Sequence, residues 1–136
     1  MPTPEARSER RRLLASEPNP SGQVDYVVRL EADLGTVGKN DLSVRLCYVP
    51  DRDILQPAAL ETYLALLSQQ PWLSLEAMTL AMLDDLNNEI VPRWTMIEIR
   101  AGKRAGMPQA VEHSVVVEDR QPGWSNPELL AQQKRG

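Results

Sequence analysis

From Leu42 to Val49 the chain reads LSVRLCYV, with Leu42, Val44, Leu46 and Tyr48 falling on one side and Ser43, Arg45 and Cys47 on the other. Side chains on a strand alternate between its two faces, so this segment predicts a strand that buries one face and leaves the other mixed. Val24 to Leu34 (VDYVVRLEADL) alternates in the same way and is rich in β-branched residues. The intervening TVGKND has turn chemistry, so the two segments predict an antiparallel hairpin. Pro50, which has no amide proton for a ladder, and the polar DRD after it end the second strand.

The period then changes. Leu60, Tyr63, Leu64 and Leu67 recur at spacings of three and four behind Pro57, which predicts a helix over 57–70. After the break at Gln69, Gln70 and Pro71, Ser74 is a good N-cap for a second helix. Its apolar stripe is Leu75, Met78, Met82, Leu86 and Ile90, with Asp84, Asp85 and Asn88 largely off it, and Pro92 ends it. Thr95 to Arg100 and Val111 to Glu118 alternate as a second strand pair, joined by the Gly-containing AGKRAGMPQ. The order β-β-α-α-β-β predicts an α+β domain, a four-stranded antiparallel sheet with two helices on one face. Such a sheet has two free edges, and pairing of those edges with further copies of the chain is the natural way to cover them.

The 136 residues, 42% of them hydrophobic, suffice for one core. Residues 23–119 are expected to form the domain, with 1–22 a flexible N-terminal tail and 120–136 a C-terminal tail. The cluster Arg10, Arg11, Arg12 reads as solvated charge on that tail, with an anion-binding arm as the alternative. Fifteen Lys and Arg against nineteen Asp and Glu leave a net charge of -4, which does not make the basic field of a nucleic-acid binder. No apolar run approaches the roughly 20 residues that span a bilayer, and the N-terminus lacks the apolar stretch of a secretory signal, so a cytoplasmic location is expected. One cysteine and one histidine cannot build the usual Cys/His zinc site or an internal disulfide.

From Thr36 to Met107 the chain resembles the 7-cyano-7-deazaguanine (nitrile) reductase family of queuosine biosynthesis, within the tunnelling-fold superfamily. TVGKND resembles the family's Thr-Gly-Gln-Pro-Asp turn with one residue inserted. LSVRLCYVPDRDIL resembles its second strand and the Tyr-Val-Pro beyond, and LETYLALL its first helix. MLDDLNNEIVPRW is similar to the end of its second helix and a following Pro-Arg, and RAGM to an Arg-Gly-Gly-Ile. The resemblance implies a tunnelling fold whose subunits join edge to edge into a barrel, with sites between subunits that act on a small planar ring.

Carried over residue by residue, the resemblance places Asp33 where the family has its cysteine nucleophile, three residues before the turn threonine. A carboxylate cannot form the family's thioimide. Cys47 lies fourteen positions on, mid-strand, where a lone cysteine reads as an inert buried hydrophobe. Asp41 stands at the family's proton-donor aspartate, although an aspartate in a turn also has a structural use. The family's cofactor motif Glu-Ser-Lys-Ser-Leu-Lys is Gln56, Pro57, Ala58, Ala59, Leu60, Glu61 here, without either lysine. No cofactor is therefore expected, and NADPH only where the family activity is retained.

The family's Phe-His-Glu aligns with Ser74, Leu75, Glu76. Glu76 is the ring anchor the resemblance implies, a carboxylate able to accept two ring N–H bonds; an acid in a first helical turn is also favoured without any ligand. Trp72 reads as packing or as a stacking partner for a planar ligand, Arg104 as an anion contact or an ordinary loop residue, and His113 as structural or exposed, with a general base as the alternative. Three functions follow: a tunnelling-fold enzyme working on a purine-, deazapurine- or pterin-like ring by acid–base chemistry through Asp33, Asp41 or Glu76; a non-catalytic binding module or partner subunit; and the reductase itself.

Overall fold

A computed structural model describes residues 2–37, 40–102 and 111–133. The expected order is present, with additions at both ends. Helix α1 (Pro4–Arg12) and strand β1 (Ser16–Pro18) precede the hairpin of β2 (Val28–Val37) and β3 (Asn40–Val49). Strand β4 (Asp53–Leu55) pairs back with β1, and helices α2 (Pro57–Gln69) and α3 (Leu75–Glu89) follow. Strands β5 (Trp94–Gly102) and β6 (His113–Arg120) complete the main sheet, and helix α4 (Pro127–Gln133) comes last. The fold is α+β, with antiparallel pairing throughout and the main sheet in the order β2-β3-β5-β6.

Leu42, Val44, Leu46 and Tyr48 of β3 join Ile97, Ile99 and Ala101 of β5 beneath α2 and α3 in the larger core. The helices contribute the stripes their spacing predicts: Leu60, Tyr63, Leu64 and Leu67 from α2, and Met78, Met82, Leu86 and Ile90 from α3. Ser74 caps α3 as expected, its Oγ accepting from the Ala77 N–H at 3.0 Å. The opposite sheet face is divided along its length. At one end Cys47, Val49 and Trp94 pack with Leu130 and Trp124 from the C-terminal segment. At the other lies a shallow depression of about 320 Å³, lined by Glu31, Ala32, Asp33, Ser43, Val44, Arg45, Glu98 and Arg100.

The flanking segments differ from the expectation of tails. Residues 4–12 form a helix whose start is capped by Thr3, with Oγ1 accepting from the Ala6 N–H at 3.1 Å. Its Arg10 is buried rather than solvated. Arg10 Nε donates to Asp85 Oδ2 at 2.8 Å, Arg11 Nε donates to Asp85 Oδ1 at 2.8 Å, and the Tyr63 hydroxyl donates to Asp85 Oδ2 at 2.6 Å. Asp85 cannot be left alone in the core, because an unpaired buried carboxylate is costly, and the arginines of α1 are its counter-charges. At the other end of the chain, Trp124 Nε1 and Asn126 Nδ2 both donate to Asp25, which also takes a bond from Arg93 NH1 at 2.8 Å. Drawn into this loop cluster, Asp25 lies outside β2, which begins four residues later than the alternation predicts.

The stretch read as a turn is largely paired strand. Thr36 faces Asp41 and Val37 faces Asn40, and residues 38–39 lie outside the described residues. β2 carries one residue more than β3 between Asp33 and Gly35, a β-bulge, and Gly35 has φ of 72°, a left-handed conformation that suits glycine.

Candidate functional site

Asp33 sits on the edge strand β2 at this bulge and is exposed. It lines the polar depression and also a second hollow of about 180 Å³ between β2 and α2, with Ala32, Leu34, Glu61, Leu64, Ala65 and Ser68. Asp41 is exposed in β3, opposite Thr36 and Gly102. It is two residues from Ser43, the cross-strand partner of Asp33, so the strand period places Asp41 on the same face one step nearer the hairpin tip. The two aspartates expected to carry acid–base chemistry thus share one end of the sheet.

Glu76 lies in the first turn of α3 with its carboxylate 57% exposed. Its own backbone N–H and then His113 hold its carboxyl below the usual carboxylate range. His113, the first residue of β6, places Nε2 at 3.1 Å from Glu76 Oε2. An ionised carboxylate only accepts, so Nε2 carries the proton in this bond. Leu75, at the position the resemblance gives to a histidine, packs against the larger core. The imidazole beside the glutamate comes from the strand instead.

Trp72 lines a hollow with residues of α1 and with Asp84 and Asp85 of α3. Its ring lies under the Arg10 guanidinium, 5.1 Å from centroid to Cζ, and its Nε1 donates to the Leu67 carbonyl at 2.8 Å. A cation over one ring face and a backbone bond at the ring edge tie Trp72 into the helix layer. That hollow, of about 200 Å³, takes in Arg7, Arg10 and Arg11. Arg104 lies outside the described residues. Cys47 is 1% exposed in the apolar cluster with Val49, Trp94 and Leu130. Four residues along β3 separate it from Ser43, the partner of Asp33, a distance of about 13 Å at the strand rise.

Asp33 and Glu76 are held apart within one chain. The rows Asp33, Ser43, Arg100, Ser114 and Gly35, Leu42, Ala101, His113 run straight across the sheet. Three strand spacings, about 14 Å, therefore separate the Asp33 edge from the His113 edge, at the same end of the sheet.

The start of α2, where the resemblance puts the cofactor motif, offers no cation to a dinucleotide's phosphates. Gln56, Pro57 and Ala58 are exposed at the start of α2, the Gln56 side chain makes no capping bond, and the first turn carries no cation. The adjoining hollow is lined by the carboxylates of Asp33 and Glu61 without a cation among its lining residues, which disfavours phosphate.

One residue, Asp85, and one partnership were not singled out from the sequence. Asp85 was set off the apolar stripe, yet it follows Met78 by seven residues and Met82 by three, spacings that return to the same helix face. The partnership of His113 with Glu76 spans 37 residues of chain and has no local signal.

No family profile matches the chain. Curated relatives do. The NADPH-dependent 7-cyano-7-deazaguanine reductase of Acidithiobacillus ferrooxidans is 32% identical over 120 residues, which cover 84% of this chain and 82% of the relative. The protein of the same name from Syntrophus aciditrophicus is 30% identical over 122 residues, 85% of this chain and 84% of the relative. The one from Nitrosococcus oceani is 30% identical over 129 residues, covering 90% and 96%. With identity sustained at this level over most of both partners, the chain belongs to the NADPH-dependent 7-cyano-7-deazaguanine reductase family.

Proposed function

We propose that this family member binds a purine-, deazapurine- or pterin-like ring through Glu76 and has altered or lost the reductase chemistry. The observation that carries this reading is the placement of the chain's one cysteine: Cys47 is sealed in an apolar cluster, and Asp33 stands exposed where the nucleophile is expected. Thioimide formation needs a thiol the nitrile can reach, and Cys47 is sealed from the surface. Asp33 and Asp41 are the carboxylates proposed for any acid–base step, and no NADPH-dependent hydride transfer is assigned.

The proposed working unit is a tunnelling-fold homo-oligomer. Pairing β2 of one copy with β6 of the next would bring the Asp33 edge of one chain towards Glu76 and His113 of its neighbour, because these edges carry their residues at the same end of the sheet. The name the relatives share favours a second reading, the NADPH-dependent reductase itself. A non-catalytic partner subunit is the third.

Calorimetric titration of 7-cyano-7-deazaguanine into the full chain tests the proposal. Saturable binding is expected, weakened at least about tenfold in Glu76→Gln, since loss of one charged hydrogen bond reaches the roughly 1.4 kcal/mol that tenfold represents. The amide keeps the size of the side chain but puts a donor where an acceptor is needed. Undiminished binding by Glu76→Gln would reduce Glu76 to a helix-start residue.

A further inference from the structure

We propose that His113 is a positioning residue for Glu76, fixing the carboxylate to receive a ring edge that presents two neighbouring N–H donors. The inference rests on the ring-anchor reading of Glu76.

The geometry comes from the fold. His113 opens β6 in register with Ala101 and Leu42, and Leu42 is buried beneath the helices, so the strand period turns His113 to the helix side of the sheet. There it meets the first turn of α3, with Nε2 at 3.1 Å from Glu76 Oε2. The side chains are 47% and 57% exposed, and a pair this open adds little to the stability of the fold. Its consequence is orientation. An unrestrained glutamate has to be ordered when a ligand binds, and that ordering lowers affinity; one already held by an imidazole has less freedom to lose.

The arrangement also selects the ligand. A carboxylate offers about four lone-pair sites. The His113 Nε2–H takes one of them, on Oε2. The remainder matches two N–H bonds from a guanine-like edge, whereas a ring edge with acceptors at those positions meets only negative charge.

The test uses the full chain and calorimetry with 7-cyano-7-deazaguanine as the probe, on the parent, His113→Ala, His113→Gln, Glu76→Gln and the His113→Ala/Glu76→Gln double variant. His113→Ala should weaken binding about threefold to tenfold through the lost preorganisation. His113→Gln places an amide donor near the former Nε2 and should recover most of that loss. In the Glu76→Gln background, His113→Ala should have no further effect, because coupled residues are not additive. All variants should melt like the parent. If Glu76→Gln is weak while His113→Ala binds as the parent does, or if glutamine rescues no better than alanine, the positioning role is wrong and the anchor stands. If Glu76→Gln itself binds as tightly as the parent, or the parent does not bind the probe, the anchor reading falls and takes this inference with it.

Discussion

Arg10 and Asp85, 75 residues apart, form a buried ion pair at 2.8 Å with side chains only 3% and 0% exposed. The carboxylate is shared with Arg11 and the Tyr63 hydroxyl, and Arg10 also donates to Gln70 Oε1 at 2.8 Å. Burial, and then the neighbouring Asp85 charge, push the Tyr63 hydroxyl well above its ordinary range, so it remains a donor to the carboxylate at any working pH. Breaking such a group from one side strands a charge in the core. Arg10→Ala and Asp85→Ala should each lose about 3–5 kcal/mol of unfolding free energy. Tyr63→Phe should lose about 1.5–3, the worth of a hydrogen bond to a charged group. Removal of residues 1–22 should destabilise like Arg10→Ala. Urea titrations read all four, and a truncated chain as stable as the parent would show that α1 is dispensable.

Glu76 sets a pH limit on binding. Its carboxyl lies below the ordinary value of 4.5, first through its own backbone N–H and then through His113. A depressed carboxylate keeps its charge as pH falls through the ordinary range and loses it only below. Affinity for 7-cyano-7-deazaguanine should therefore hold from neutral pH to about pH 5 and drop only under the ordinary carboxylate range. Calorimetry across that interval tests it. A steep loss already above about pH 5 would assign control of binding to another group.

The free edges of the main sheet make oligomerisation the expected solution state. β2 and β6 are its outer strands, and Val116 of β6 is an exposed apolar side chain on the second of these. Exposed strand edges pair with other chains unless they are covered. Light scattering at micromolar concentration should give a mass well above 15.3 kDa. A monodisperse monomer would remove the proposed junction between the Asp33 edge and Glu76.

Much of the architecture was legible because periodicity reports burial directly. The alternation of Leu42, Val44, Leu46 and Tyr48 and the three–four spacing of Met78, Met82 and Leu86 became buried faces as they stood. The ends were not legible, because what orders them is long-range charge pairing. Arg10 in an arginine run looks solvated until Asp85 is seen beneath it, and Asp25 leaves its strand pattern for Arg93, Trp124 and Asn126. The same holds for the site. Glu76 was singled out by the family resemblance, whereas His113 reached it only through the pairing of β6 with the sheet. Trp72, a candidate stacking partner in the sequence, has the guanidinium of Arg10 over one ring face.

NADPH absorbance, followed while the cofactor and 7-cyano-7-deazaguanine are mixed with the full chain, tests the central claim most directly. With Cys47 buried and Asp33 where the resemblance puts the nucleophile, absorbance should stay flat however much protein is added. Steady, nitrile-dependent oxidation of NADPH would contradict the account, and its loss in Cys47→Ala would identify the buried thiol as the nucleophile after all.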